Sequence, residues 1–499
     1  MKQKTFVSLL AFLFLASFAF KIYFLDAIPL RYDGTVYVEM IAEQADQPTF
    51  LPRYMGTCTP IKPGLYFIVY SLFLPVTSVF FTSFEWIYRS PNIIFGIFNA
   101  FLCYLIARKF STKEVAMVTA LLFYCCFCTF LVEERLFMEP LMLTFMLSAL
   151  FFYTREELPP VFRFGGAAFF SIIAALTKSV IAFALLPLSF ALIYQKDKNS
   201  LRNPLFLASL LAPLLGLLLF YLSLDYAGLT DVLFNDTGKF FVYDYVKTSP
   251  RTITEGIGYF FVMSGIYLSF SFYKIKECWK EQIFFSSWLF LSAVPIFSGE
   301  PHYWYFYYTV PAFAFFAALG ISSKGKFDNL SGLALVLLVV ANLSISALSV
   351  SVLDYDFYHQ AKEVGLDLSG KENVLIAGIY EKATIATAYK RIQERKEYGK
   401  PLDMGYVVIP SSILEDNRAR SYFNAMLEEV AEDYNTQKYQ FEEESFARFF
   451  WSNHSFRKAT EITEFEYIAV LGNFTLNSDA YKLHYEAPNI RIYQRSEKS

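Results

Sequence analysis

The stretch PLRYDGTVYVEMIAEQ places an acid, Asp33, directly after a membrane-length apolar run, with a glycine and a tyrosine close by. A carboxylate there could act as a general base if it were partly buried and within hydrogen-bond reach of an acceptor hydroxyl. The local sequence alone favours a simpler role, as a turn residue or as the cap of the helix that VYVEMIAEQ predicts. Glu39 and Glu43, four residues apart on one face of that helix, indicate a solvated stripe.

A lysine stands at the next apolar boundary. Lys62 lies between Ile61 and Pro63, immediately before the apolar stretch 64–84. A lysine at this depth can extend to the lipid headgroups. It could equally neutralise a lipid-linked phosphate whose tail lies along 64–84. The sequence leaves both interpretations open.

The stretch VEERLFMEPLM carries several charges between two apolar runs. Glu139 precedes Pro140 where a new helix is predicted, and a negative charge at a helix start is favourable without any catalytic role. Arg135 lies four residues before Glu139, which is the spacing of an ion pair if the stretch is helical. The charged residues of this stretch are Glu133, Glu134, Arg135 and Glu139.

Two further stretches hold candidate residues. Lys178 lies within a long apolar region, in a tight turn of ALTKSV, and is either a loop lysine or a second cation for a phosphate. GEPHYWYFYY combines Glu300, His302 and Tyr303 with a dense aromatic run. Trp and Tyr concentrate at bilayer interfaces in any case, although aromatic walls also suit sugar rings.

The composition is that of an integral membrane protein. Of 499 residues, 55% are hydrophobic, 19% aromatic and only 18% charged, and the apolar residues gather into runs of about 18–22, the length that crosses the bilayer as a helix. The net charge of -3 argues against a nucleic-acid partner. The cysteines do not form a disulfide framework, and no metal-spaced set of His and Cys is present.

The apolar runs predict about eleven crossings, over residues 5–25, 91–106, 115–132, 140–153, 164–177, 180–194, 204–224, 256–273, 283–297, 303–321 and 330–350. The stretch 64–84 is predicted to lie in the outer interface without crossing. With this count every basic loop cluster falls on one side, as cytoplasmic loops require. The bases concerned are Arg108, Lys109, Lys113, Arg155, Arg163, Lys196, Lys198, Arg202, Lys274, Lys276, Lys280, Lys324 and Lys326.

This topology predicts a protein of the cytoplasmic membrane, with the candidate residues and the C-terminal tail on the extracytoplasmic side. The predicted domains are a transmembrane part, residues 1–350, and an α/β part, residues 351–499. In the tail, β-rich runs predict strands at 373–380, 404–411, 467–473 and 490–494, and helical spacing predicts helices at 381–398 and 412–434.

The order of these motifs resembles the polyprenyl-phosphate-sugar-dependent glycosyltransferases of the GT-C fold, specifically the family-39 relatives that include lipid A aminoarabinose transferases and protein O-mannosyltransferases. YDGTVYVEMIAEQ is similar to the family's D-E-x-x-Y run, with Gly34 in place of the second acid. Lys62, Pro63 and Gly64 resemble its Lys-Pro-Pro segment without the second proline. The family's Arg-x-Pro opening of the second crossing resembles RSP at 89–91.

Three later motifs extend the resemblance over roughly residues 1–325. Arg135 with Glu139 resembles the second acidic position, where many relatives have Asp. Lys178 with Ser179 resembles a Lys-Gly turn. HYWYFYYTVP resembles the motif that ends in Tyr and Pro before a helix.

The resemblance implies that Asp33 deprotonates or orients an acceptor, which attacks the anomeric carbon of the donor sugar with inversion. Lys62, with Lys178 or Arg251, would stabilise the departing lipid phosphate, and Glu139 would hold the acceptor or the sugar. The implied substrate-binding residues are Tyr37, Arg135, Glu300, His302 and Tyr303. The implied partners are a polyprenyl-phosphate sugar and a lipid, glycan or protein acceptor. Some relatives use a divalent metal and others do not, and the sequence names no metal ligand.

Two other classes of protein fit the composition. A transporter or lipid flippase would favour helix breaks and acids near the middle of its spans, whereas the charges here gather at predicted outer helix ends. A noncatalytic membrane scaffold that displays the tail would leave the outer charges unexplained.

Overall fold

The computed structural model describes residues 2–30, 32–54, 57–58, 63–178, 181–227, 250–291, 303–322, 327–352, 355–402, 404–409, 465–471, 481–487 and 490–496. The chain forms two compact units. The first comprises Met1–Ile28 and Pro60–Val352, and the second comprises Pro29–Thr59 and Leu353–Ser499.

The helices of the first unit are α1 Gln3–Ala27, α3 Leu65–Phe80, α4 Phe84–Ala107, α5 Lys113–Cys125, α6 Phe127–Glu134, α7 Glu139–Tyr153, α8 Pro160–Thr177, α9 Ile181–Lys196, α10 Pro204–Tyr226, α11 Pro250–Cys278, α12 Ile283–Leu291, α13 Val310–Ile321 and α14 Asn329–Val352. Short 3₁₀ helices cover Lys198–Arg202 and Tyr303–Thr309. The second unit holds α2 Tyr32–Asp46, α15 Tyr355–Asp367 and α16 Tyr380–Tyr398.

Several helices begin at side chains that accept hydrogen bonds from the first backbone N–H groups, which have no partner inside the helix. Ser83 Oγ accepts from Trp86 at the start of α4, and Thr112 Oγ1 accepts from Val115 at the start of α5. The starts of α4 and α5 are therefore encoded by the local sequence.

Five helices among the described residues are long and apolar enough to cross a bilayer, and two further pairs qualify if each bent pair is counted as one span. The five cover Gln3–Phe24, Phe84–Ala107, Pro160–Thr177, Pro204–Tyr226 and Asn329–Val350. Leu65–Phe80, Glu139–Tyr153 and Tyr305–Ile321 are apolar but shorter. The count of eleven crossings stays a prediction.

The predicted third crossing, 115–132, is a broken helix. α5 and α6 meet at 47°, because Cys126 between them is extended, with φ -63° and ψ 137°. The break frees backbone groups that lipid could not satisfy, and side chains of neighbouring helices pair with two groups beside it. Asn342 Oδ1 of α14 accepts from Phe127 N–H at 3.1 Å, and the Tyr267 hydroxyl of α11 donates to Leu122 O at 2.6 Å.

α3 occupies the stretch that the sequence places in the interface. Its 16 residues give a length of about 24 Å, less than the roughly 30 Å of hydrocarbon. Tyr66 and Tyr70 are buried, and the Tyr66 hydroxyl donates to Leu136 O at 3.1 Å. Leu72 and Val79 are 71% and 79% exposed. One apolar face is thus left uncovered by protein, as an interfacial helix requires, and the interfacial position stays a prediction.

The second unit is built on a mixed five-stranded sheet in the order β4-β3-β5-β7-β6. Its strands are β3 Val374–Ile379, β4 Met404–Ile409, β5 Tyr467–Leu471, β6 Tyr481–Ala487 and β7 Ile490–Arg495. β3 is parallel to β4 and β5, while β7 is antiparallel to β5 and β6. A separate two-stranded ribbon pairs β1 Arg53–Tyr54 with β2 Thr57–Cys58.

The α/β character predicted for the tail is present in β3, α16, β4, β5 and β7, whereas α15 and β6 are not among the predicted elements. The predicted helix 412–434 lies outside the described residues. Residues 29–59, which the sequence analysis assigned to the membrane part, group with the second unit because α2 packs on α16.

Candidate active site

Glu139 and Lys178 form a partly buried ion pair in the first unit. Glu139 is the first residue of α7 and Lys178 directly follows α8, so the packing of these two helices joins residues that are distant in sequence. Lys178 Nζ donates to Glu139 Oε1, and the side chains are 14% and 3% exposed. The ammonium also lies 5.1 Å from the ring centroid of Tyr305, in a cation–π contact.

The structure thus brings together a predicted catalytic acid and a predicted phosphate-binding cation. The predicted pairing of Glu139 with Arg135 depended on a helix, whereas residues 135–138 form a turn in which Leu136 has φ 58°. Arg135 Nε instead lies 3.9 Å from Glu134 Oε2. The functional roles of Glu139, Lys178 and Arg135 stay predictions.

A second group of buried charges lies where α1, α4 and α6 meet. Lys21 Nζ donates to Glu133 Oε2 at 2.6 Å and lies 3.8 Å from the ring centroid of Tyr124. Arg89 Nη2 lies 3.6 Å from Glu134 Oε1, and Arg89 Nη1 donates to Ile28 O. Neither Lys21 nor Arg89 was among the predicted site residues, although a lysine inside an apolar helix is itself a signal of a buried partner.

Three of these charged residues line a small pocket of about 10 Å³, roughly the room that one water molecule needs. Its lining residues are Lys21, Ile93, Phe130, Glu133 and Glu134. Gly96 of α4 leaves room for the Glu133 carboxylate, because a Cβ atom there would lie 2.0 Å from Glu133 Oε1. The position of the Glu133 carboxylate therefore depends on the absence of a side chain at residue 96.

Replacing Lys21 with Met should destabilise the protein by about 3–5 kcal/mol, because the Glu133 carboxylate would remain buried without its partner. The free energy of unfolding in mixed micelles measures this loss. The double variant Lys21→Met/Glu133→Gln removes the orphaned charge and should recover most of it. Equal losses in the single and double variants would show that the ion pair does not govern stability here.

Asp33 and Tyr37 belong to α2 in the second unit. Asp33 is the second residue of that helix, so it lies inside the first turn and not in a loop before the helix. Tyr37, one turn later, is 7% exposed. The spacing D-x-x-x-Y places these two residues four apart on one helical face.

Glu39 and Glu43 do not form a solvated stripe, which corrects the sequence interpretation. Glu39 is fully buried and Glu43 is 7% exposed. Both pair with Arg391 and Arg395 of α16, the shortest contact being Arg391 Nε to Glu39 Oε1 at 2.6 Å. The partners lie more than 340 residues along the chain, which explains why local spacing could not reveal them.

The pairing of Glu39 makes the stability of the second unit depend on pH. Burial alone would raise the pKa of Glu39, but the guanidinium groups of Arg391 and Arg395 outweigh burial and hold the pKa below its ordinary value of 4.5. Such a group stabilises the fold above its unfolded-state pKa and loses that contribution as the pH falls through its folded-state pKa.

We therefore expect the difference in unfolding temperature between wild type and Glu39→Gln to be largest near neutral pH and to shrink as the pH falls below 4.5. Circular dichroism at a series of pH values measures it. A difference that stayed constant down to the acid end would contradict the ion-pair explanation.

Several predicted residues lie outside the part of the chain that the structure describes. They are Lys62, Glu300 and His302, together with the side chains of Asp33, Arg251 and Tyr303. Among the described residues, no group of three or more His, Cys, Asp and Glu side chains could hold a metal ion. Cys103, Cys125, Cys126, Cys128 and Cys278 are free thiols.

The apolar helices indicate an integral membrane protein, and comparison with solved structures identifies the fold as the GT-C fold of membrane enzymes. Over 99% of its length the chain is similar to ArnT from Cupriavidus metallidurans bound to undecaprenyl phosphate, with a TM-score of 0.62, 11% identity and 98% of that chain covered. The comparison confirms the predicted fold class.

Two further solved structures share this fold. ArnT from Cupriavidus metallidurans in the apo state matches 80% of this chain and 84% of its own, with 13% identity and a TM-score of 0.56. The Archaeoglobus fulgidus oligosaccharyltransferase in the apo form matches 94% of this chain and 70% of its own, with 13% identity and a TM-score of 0.50. No protein-family model and no curated protein matches the sequence.

Proposed function

We propose that the protein is an inverting glycosyltransferase that moves a sugar from a polyprenyl-phosphate-linked donor to a lipid, glycan or protein acceptor at the extracytoplasmic face of the cytoplasmic membrane. The observation that supports this proposal is the similarity of fold to ArnT over nearly the whole of both chains. That ArnT structure is bound to undecaprenyl phosphate. The partly buried pair of Glu139 and Lys178 supplies charged groups suited to such a reaction.

In the proposed reaction an acceptor hydroxyl or amine attacks the anomeric carbon, and the bond from that carbon to the phosphate oxygen breaks. Asp33 takes the proton from the acceptor, and the lipid phosphate leaves with the bonding electrons. Lys62, Lys178 and Arg251 stabilise the growing negative charge on the phosphate, a contribution that is usually the largest single term in such chemistry.

Lys178 is suited to this role even though it is paired. A lysine ammonium offers three N–H donors, so the bond to Glu139 Oε1 leaves two for phosphate oxygens. The carboxylate of Glu139 fixes the ammonium and also holds acceptor or sugar hydroxyls. Tyr37, Arg135, Glu300, His302 and Tyr303 complete the proposed substrate contacts.

The test is an assay of membranes containing the protein with radiolabelled polyprenyl-phosphate sugars of several kinds, compared with matched membranes that lack it. Transfer of label to lipid, protein or glycan only where the protein is present would support the proposal and reveal the acceptor class. If folded protein consumed none of the donors, the proposed function would be rejected in favour of transport or scaffolding.

A further inference from the structure

The second unit contains a set of ion pairs that the proposed reaction does not use. We name it the α2–α16 charge cluster and define it by the residues Glu39, Glu43, Asp46, Arg391 and Arg395. The three acids follow a spacing of four and three residues, so they lie on one face of α2. The two arginines, four residues apart, lie on one face of α16.

The contacts of the cluster are multiple and shared. Glu39 Oε1 accepts from Arg391 Nε at 2.6 Å and from Arg395 Nη2 at 3.2 Å. Glu43 Oε1 lies 3.4 Å from Arg391 and 3.6 Å from Arg395, and Arg395 Nη1 donates to Asp46. Both arginine side chains are 14% exposed and that of Glu39 is fully buried. Planar guanidinium groups held by several acceptors restrict both the rotation of α2 and its position along α16.

A second contact with α16 is made by the residues that precede Asp33 in the sequence. Leu30 N–H donates to the hydroxyl of Tyr389 at 2.9 Å, and Tyr389 is fully buried in α16. Asp33 therefore lies between two attachments to the same helix, Leu30 before it and Glu39 after it. Neither attachment involves Asp33 itself.

α16 is itself firmly held within the second unit. Glu394 is fully buried and accepts from Lys390 of the same helix. Its two carboxylate oxygens also accept from Gly370 N–H at 3.2 Å and from Leu402 N–H at 3.0 Å, which lie in the segments before β3 and after α16. The helix that carries Arg391 and Arg395 is thus tied to the loops around the sheet.

We propose that Arg391 and Arg395 are positioning residues for the reaction: through the α2–α16 charge cluster, α16 holds α2, and with it Asp33, in the orientation that catalysis needs. This inference rests on the proposed function, because it assigns to the tail a role in placing the proposed general base. It predicts that damage to the cluster lowers the rate of the chemical step without weakening binding of the donor.

The experiment compares Arg391→Gln/Arg395→Gln with Arg491→Gln as the matched control. Arg491 pairs with Glu486 at 2.9 Å in the same unit, but that pair is at the surface, where side-chain exposures are 26% and 52%. Two measurements are made on the full-length protein, hydrogen–deuterium exchange of the amides of residues 32–46 and steady-state transfer kinetics. The exchange measurement needs no substrate.

We expect the double variant to exchange faster in α2 and to lose about 100-fold in kcat, the size of effect that a misplacement of about 1 Å produces. The KM for the polyprenyl-phosphate donor should stay unchanged. The control should match wild type in both measurements. Unchanged α2 exchange, or normal kcat despite faster exchange, would overturn the positioning role.

If the double glutamine variant does not fold, Arg391→Lys/Arg395→Lys is measured in its place. It keeps both positive charges but removes the planar guanidinium groups. It should show a smaller change in the same direction, and wild-type values in both measurements would overturn the inference. If the wild-type protein transferred no sugar from any donor, the proposed function and the catalytic part of this inference would both be rejected. Faster hydrogen–deuterium exchange of α2 in the variants would still show that the cluster holds the helix.

Discussion

Asp33→Asn is expected to lower the rate of sugar transfer by about 10²- to 10⁴-fold, the usual contribution of a general base. Asparagine has nearly the same shape as aspartate but cannot take a proton from the acceptor at neutral pH. Asp33 lies in the first turn of α2, where loss of the negative charge costs only about 0.3–1 kcal/mol of helix stability. The variant should therefore fold normally, and initial rates of transfer from a labelled polyprenyl-phosphate sugar measure the loss.

Asp367→Asn provides the matched control for this measurement. Asp367 is the last residue of α15 in the same unit, and its side chain is 60% exposed and paired with Lys371 at 3.0 Å. The same chemical change there should leave the rate at the wild-type level. A fully active Asp33→Asn protein would remove Asp33 from the catalytic mechanism and return it to a role in starting the helix.

Lys178→Met is expected to lower kcat by about 10²- to 10³-fold, the loss seen when one donor to a developing negative charge is removed. Methionine keeps much of the length and apolar surface of the side chain but offers no N–H to the departing phosphate. The same change leaves Glu139 buried without its cation, so stability should fall as well. Kinetics and unfolding are therefore measured on the same preparations.

The double variant Lys178→Met/Glu139→Gln separates the two effects. Removing the unpaired carboxylate should restore stability, whereas the rate should stay low because the phosphate still lacks its cation. Lys196→Met serves as the control and should keep the wild-type rate. Lys196 is a half-buried lysine at the end of α9 that donates to Lys109 O. Recovery of the rate in the double variant would show that Lys178 acts only as a structural partner of Glu139.

The sequence predicted those elements of the fold whose conformation is determined by a single physical rule. Apolar runs of bilayer length must be helical, and α1, α4, α8, α10 and α14 follow that rule. The break at Cys126 was not predicted. The side chains that pair with the backbone beside it, Asn342 and Tyr267, lie on helices far along the chain. β6 was missed although it carries the alternation of a strand, since Tyr481, Leu483, Tyr485 and Ala487 alternate with polar residues.

The sequence predicted which charged residues lie at helix ends in the candidate site. It did not predict which of them form ion pairs with each other. The sequence placed Glu139 and Lys178 at the ends of two apolar helices, yet only the packing of α7 and α8 shows that they bind each other. Likewise, acids at a helical spacing on α2 have the same local pattern whether they face water or arginines. Arg391 and Arg395 decide between these outcomes, and their distance along the chain removes them from any local argument.

The discontinuity of the second unit also sets the order in which the protein can be assembled. Glu39 and Arg391 are 352 residues apart, and at the usual pace of synthesis the ribosome needs roughly 18 to 70 s to cover that distance. During this interval α2 has been made but its arginine partners do not yet exist. The helices of the first unit are completed within the same interval, so the unit that carries Asp33 is finished last. A newly made chain therefore has its membrane helices before it has a complete second unit, and chains interrupted before α16 should be inserted but inactive.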